Sequence, residues 1–180
     1  MSQTRFTKED LEDLRKFMHV STDAWMQDRL IRVNSFAIVV LIASRPGSDF
    51  EGASQFVIGR TLQDAEHDQL WYITNADGKN AICLETGMDS HEAVRVWQGL
   101  VSQIDGAFPW GGAIIDPNYG LIIGTSGFKE DEDIFVSRTA RNRLVMMCDR
   151  GGDSVINDAR ERGEQPMPDG ADRFTTALRQ

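Results

Sequence analysis

Residues 110–135 read WGGAIIDPNYGLIIGTSGFKEDEDIF. Two apolar runs, Ala113–Ile115 and Leu121–Thr125, flank the five residues Asp116–Gly120. Pro117 presets φ for the first central position of a turn, Asp116 and Asn118 tolerate turn geometry, and Gly120 accepts positive φ at the exit. The pattern predicts an antiparallel hairpin. Gly124, inside the second run, marks a bulge or a close approach by another backbone or a ligand. Ser126–Lys129 then leads into a helix whose first turns carry Glu130, Asp131, Glu132 and Asp133, carboxylates that complement the positive end of the helix dipole. Val136, Ala140, Leu144 and Met147 recur at helical spacing and form its inward face. Arg138, Arg141 and Arg143 are charged positions toward its far end.

Upstream of this unit, Asp89 or Ser90 caps a second helix, with Glu92 three residues after Asp89. Its apolar stripe is Ala93, Val96, Trp97, Leu100, Val101 and Ile104, and Gly106–Trp110 is the loop that joins the two units. Leu70–Asn75 and Ala81–Glu85 read as a further pair of strands joined by Ala76–Asn80, because Asp77-Gly78 is a hairpin signal. Phe36–Ser44 is the most hydrophobic segment and reads as a central strand, and Gln55–Leu62 as a second strand. Thr7 and Asp10 resemble a capping box, with Phe6 and Leu11 at staple spacing, for a first helix over Phe6–Met18. Ser21 or Thr22 starts a second turn or helix with Trp25 and Leu30. Together they make an N-terminal helical arm.

The resulting order is helices, five to six strands interrupted by one helix, and a last helix. Helices and strands do not alternate strictly, so the expected fold is α+β, a mostly antiparallel sheet with flanking helices. At 180 residues, one domain is the default. Residues 1–150 form it, and residues 151–180, rich in Gly, Pro and charge, are expected to be a flexible C-terminal extension. The net charge of −9 leaves no basic face for nucleic-acid phosphates or anionic lipid, and no stretch is long enough to span a bilayer. Cys83 and Cys148 are too few for a disulfide framework. Cytoplasmic residence with reduced thiols is the expectation.

The Gly111–Asp133 segment, with its doubled glycine, its Gly120…Gly124…Ser126-Gly127 corner and its acidic helix start, resembles the C-terminal half of the GlcG/HbpS-like family, which includes the C-terminal domain of PduO-type adenosyltransferases. Residues 75–79, with the helix after them, are similar to that family's first hairpin and middle helix. Ile114 stands where the family has proline, and the resemblance covers roughly residues 70–145. It implies a profilin-like, often oligomeric α+β sandwich and a family with members that bind haem or a related tetrapyrrole.

No catalytic set is legible. The corner is not a phosphate-binding loop, because four carboxylates follow it at once, and Phe128 breaks a nucleophile elbow. The aromatic loop beside the glycines makes a pocket lip. Candidate ligand-binding residues are therefore Phe108, Trp110, Gly111, Gly112, Thr125 and Ser126. His91, at the start of the middle helix, and His19, beside Phe17 and Met18, are the candidate haem-iron ligands. The four tryptophans are assigned mainly to the core. The expected function is binding of a small hydrophobic or tetrapyrrole ligand, haem being the named candidate cofactor, in a homo-oligomer. The alternatives are a profilin-like interaction or sensory module without catalysis, and a flavin-binding split barrel, since residues 69–79 resemble the strand and lysine turn of that class.

Overall fold

The computed structural model describes residues 8–28, 30–31, 38–44, 53–58 and 65–161. Among these, four strands form one antiparallel sheet: β1 (Ile38–Ser44), β2 (Ala53–Ile58), β3 (Ala113–Asp116) and β4 (Leu121–Ser126), in the order β2-β1-β4-β3. The hairpin expected around Pro117 is present. Asp116 pairs with Leu121 across it, the Asp116 carboxylate accepts the Asn118 N–H at 3.0 Å, and Gly120 takes φ 62°. In the centre β4 pairs with β1, Gly124 lying opposite Leu41.

Among the described residues five helices accompany the sheet: α1 (Lys8–Gln27), α2 (Ala65–Thr86), α3 (Ser90–Val96), α4 (Gln98–Val101) and α5 (Glu130–Glu161). Both faces of the sheet are covered. Ile114, Leu121 and Ile123 point to a core shared with Leu14 and Met18 of α1 and Val136, Ala140 and Leu144 of α5. Ala113, Ile115 and Ile122 point the other way, to Cys83 of α2. Every residue of β4 is consequently buried, the continuous apolar pattern of a strand covered on both sides. Trp25 of α1 meets Phe135 of α5 edge to face, ring centroids 4.9 Å apart.

Several expectations are corrected here. The two strands and Asp-Gly turn assigned to residues 70–85 are one continuous helix, α2, so the described sheet has four strands and not five to six. The physical reason lies in packing. A Cβ on Gly78 would fall 2.5 Å from the Gly106 carbonyl oxygen and 2.7 Å from the Phe108 nitrogen, so this glycine lets a helix lie against the 106–108 loop. The same helix removes the split-barrel reading, which needed a strand and turn at 69–79. The middle helix breaks at Trp97 (φ −124°, ψ 42°), and only Ala93, Val101 and Ile104 of its expected stripe turn inward, against Ile82. Val96, Trp97 and Leu100 are exposed, as are Trp71 and Trp110, so three of the four tryptophans lie outside the core. The N-terminal arm is one helix rather than two. Thr7 and Phe6, named for its cap and staple, lie outside the described residues, as do residues 162–180 of the C-terminal extension. The last helix continues across Gly151-Gly152 to Glu161.

Among the described residues β3 is an edge strand, and the start of α3 covers it. Asp89 does not cap α3 through its side chain; its carboxylate accepts the Ile115 N–H at 2.9 Å. The Ser90 hydroxyl accepts the Ala113 N–H at 3.0 Å and donates to the Ala113 carbonyl at 3.2 Å. The edge that would template another strand is thereby closed by side chains.

Candidate functional site

At the end of the sheet where β3 begins and β4 finishes, α2, the loop before β3 and the first turn of α5 enclose a cavity of about 660 Å³. Tyr72, Asn75 and Lys79 of α2 form one side, spaced so that successive turns of the helix present them together. Phe108, Trp110 and Gly111 form the lip, and Ser126–Asp131 with Asp133 close the far side. The Phe108 and Trp110 rings lie stacked, centroids 6.4 Å apart and planes 27° from parallel. This size and mainly apolar wall with a few convergent polar groups are those of small-molecule sites.

The inner wall is a hydrogen-bonded assembly around a buried ion pair. Lys79 Nζ lies 2.7 Å from Asp133 Oδ2 and donates to the Thr125 carbonyl at 2.9 Å, with both charged side chains 3 % exposed. The Phe108 ring centroid is 5.9 Å from the same nitrogen. Asp133 Oδ1 accepts the Phe128 N–H at 3.1 Å. Burial pushes the Asp133 carboxyl up to about 7, against the opposing pull of the Lys79 charge and the Phe128 N–H.

Gly112 makes the pair possible. It sits at φ 128°, and a Cβ there would lie 2.7 Å from Lys79 Nζ, 2.8 Å from the Thr125 carbonyl oxygen and 2.9 Å from Asp133 Cβ. Behind it, Ser137 of α5 donates to the Gly112 carbonyl at 2.6 Å. That bond uses the Ser137 proton, so the 2.7 Å contact with Thr125 is a bond donated by the Thr125 hydroxyl. Thr125 N–H also donates to the Gly112 carbonyl, at 3.0 Å. Glu130, in the first turn of α5, accepts the Gly111 N–H at 3.1 Å and ties the lip to the helix.

Of the six candidate ligand-binding residues, the structure puts Phe108, Trp110, Gly111 and Ser126 on the cavity surface. Gly112 and Thr125 stand one layer behind, holding the wall. His91 is elsewhere. It lines a separate depression with Val94, Arg95, Glu130, Asp131 and Ile134, and its buried Nδ1 has no hydrogen-bond partner. His19 lies on α1 and is not among the residues lining the cavity. Among the described residues no cluster of three His, Cys, Asp or Glu side chains could hold a metal ion. Burial pushes the Cys83 thiol up to about 12, which leaves it a packing group rather than a nucleophile. No described helix is long and apolar enough to cross a membrane.

Tyr72, Asn75, Lys79 and Asp133 were not among the candidates. The available signal was their spacing: residues 72, 75 and 79 repeat at three and four, a helical stripe written in polar residues. Asp133 was visible only as one of four charges at a helix start.

No family model and no curated protein matches the sequence. Among solved structures, the PduOC:heme complex matches with a TM-score of 0.51 at 20% identity, over 77% of this chain and 94% of that one. The Klebsiella pneumoniae protein ORFY, of family DUF336, matches with a TM-score of 0.46 at 12% identity, over 74% of this chain and 88% of that one. The chain is thus similar in fold to the PduOC protein, and its own described residues form an antiparallel sheet between helices.

Proposed function

We propose that this is a small-ligand-binding domain whose cavity receives a flat, largely apolar molecule, with haem or another tetrapyrrole as the leading class. The observation that carries this reading is the pair of stacked rings, Phe108 and Trp110, standing over a preformed cavity of about 660 Å³ at the end of the sheet. Ring stacking rewards a planar ligand by roughly 0.5–1.5 kcal/mol beyond the area it buries. The PduOC protein, which shares the fold, binds heme, and that supports the class.

The donor set shapes how haem would sit. None of the lining residues is His, Cys or Met, and the lining side chain of a haem-ligating type is Tyr72. Haem therefore fits through its macrocycle against Phe108 and Trp110 and not through His91 or His19. When bound, haem would supply an iron centre, and among the lining residues Tyr72 is the one whose side-chain type could ligate it.

Titration of the full chain with haemin, followed at the Soret band, tests the tetrapyrrole class. Saturable binding at micromolar protein with a shifted band is expected, weakened by Trp110→Ala. An unshifted band with the fold intact removes the class.

A second reading, a homo-oligomeric interaction module without ligand chemistry, rests on Leu70, Trp71, Trp97 and Leu100, large apolar side chains left exposed on α2, on α4 and at the break between α3 and α4. Light scattering across a concentration series reads it directly, and a monomer at every concentration counts against it.

A further inference from the structure

The cavity wall carries polar groups that no described residue bonds. Asn75 is 6 % exposed and Ser126 4 % exposed. Both line the cavity, and neither side chain has a hydrogen-bond partner among the described residues. Neither is among the polar atoms sealed from solvent without a partner, so both side chains keep their polar ends open to the cavity, where a ligand can meet them. A third group joins them. The Lys79 ammonium has three N–H donors, of which Asp133 and the Thr125 carbonyl take two. One N–H is left without an oxygen acceptor on the same side chain that lines the cavity.

The charges decide what these groups can receive. Lys79 is already engaged by Asp133 at 2.7 Å. The other charged lining residues are Lys129, Glu130 and Asp131, all exposed at the rim. A ligand carboxylate driven to the floor would sit beside Asp133 without a cation of its own, and a buried uncompensated charge is costly. A neutral carbonyl oxygen has no such cost and satisfies the spare Lys79 N–H. Asn75 and Ser126 each offer both a donor and an acceptor, so an N–H next to that carbonyl finds an acceptor in turn.

We propose that Asn75, Ser126 and the unused Lys79 N–H form a polar subsite that reads the neutral carbonyl and adjacent N–H of a lactam or ring-amide edge on a planar ligand. The subsite rests on the ligand-binding reading above and specifies the inward end of the molecule. Stacking on Phe108 and Trp110 holds the body of such a ligand, and the lactam edge fixes which end goes in. A haem propionate would then stay at the rim.

Three probes of similar size separate the terms: quinolin-2(1H)-one, quinoline-2-carboxylate and naphthalene. Each is titrated into the 15N-labelled full chain, with affinity read from the amide shifts of Gly111 and Ser126. The lactam is expected to bind about tenfold more tightly than either of the others, the scale of one or two net hydrogen bonds. Asn75→Leu is expected to abolish that preference while leaving the melting temperature unchanged or raised, because the carboxamide has no protein partner to lose. Ser126→Ala supplies the same test at a second position and is expected to reduce the preference. Equal binding of naphthalene and the lactam, or an unaltered preference in both variants, overturns the subsite but leaves the apolar pocket standing. Tightest binding by the carboxylate overturns the neutral-edge assignment. Silence from all three overturns the pocket reading and the subsite with it.

Discussion

Lys79 and Trp110 line the same cavity, yet the first side chain is 3 % exposed and the second residue 55 %. Around Lys79 the protein is over-determined. An ion pair, two carbonyls, two hydroxyls and a glycine at φ 128° fit one another within ordinary hydrogen-bond distances. Around Trp110 the described contacts are looser: the other ring, a depression beside α3 and α4, and the Glu130 tether on the next residue. The inner wall therefore belongs to the fold, and the lip belongs to whatever binds. Substitutions in the wall should register in stability and those in the lip in affinity, which is the contrast the following variants break or sharpen.

The largest effect is expected for Lys79→Met. It leaves Asp133 in a dry site without its cation, so the carboxyl must take up a proton or stay charged there, and breaking one half of a buried pair costs about 3–5 kcal/mol. Chemical denaturation reads the loss. Lys79→Met with Asp133→Leu removes both charges and should recover most of it, since apolar replacement of a whole buried pair is often neutral. A single variant as stable as the parent would mean that the pair anchors nothing. Next is Gly112→Ala. Positive φ alone costs roughly 1–3 kcal/mol for a residue with a Cβ. The overlap with the Thr125 carbonyl, a backbone atom that cannot swing away, adds to it. A melting temperature unchanged by this variant would contradict the close approach of α2, β4 and α5 at this point.

These two positions also show what was legible in the sequence. The hairpin around Pro117 and the acidic start of α5 could be read because each is local: a turn needs residues with turn geometry, and a helix start attracts carboxylates. α2 could not be read the same way. It is covered by the sheet on one side and by the 106–108 loop on another, so its buried stripe includes Asn75, Lys79 and Asn80 beside Ala76, Ile82 and Cys83. Apolar periodicity, the main guide to a helix, is diluted where polar residues are buried for a purpose. Asp77-Gly78 then looked like a turn, although Gly78 is there for close packing. Gly124 was read as a point of close approach, and Asn80 and Ala76 of α2 are what approach it. The cavity lip was legible from aromatics beside glycines. The ion pair joins residues 54 apart in sequence, and nothing local announces a partner at that distance.

A smaller effect comes from pH. Asp133 is raised from its ordinary value of 3.8 to about 7, so the folded protein holds this proton where the unfolded chain has lost it. Its contribution to stability is fully present below about pH 4 and is lost as pH rises through about 7, each pKa unit corresponding to about 1.4 kcal/mol. The groups facing it are Lys79 from α2 and Glu132 on its own helix. Unfolding free energies measured between pH 5 and pH 8 should fall with rising pH in the parent and fall less in Asp133→Asn. A parent profile that rises over this window instead would show that the pull of Lys79 outweighs burial.

The smallest effect on stability, and the sharpest test of the contrast, belongs to Trp110→Ala. Truncating a tryptophan in a core costs about 3–5 kcal/mol. Trp110 stacks on Phe108 and borders a depression beside α3 and α4, and more than half of it faces solvent. Surface substitutions of this kind usually fall within about 0.5 kcal/mol of the parent. The denaturation midpoint should hardly move, whereas affinity for a planar probe should fall several-fold through loss of stacking worth about 1 kcal/mol or more. The two measurements must separate for the contrast to hold. A large stability loss would make Trp110 a structural residue and move the lip into the fold. An unchanged affinity would leave Phe108 as the only ring that the ligand uses.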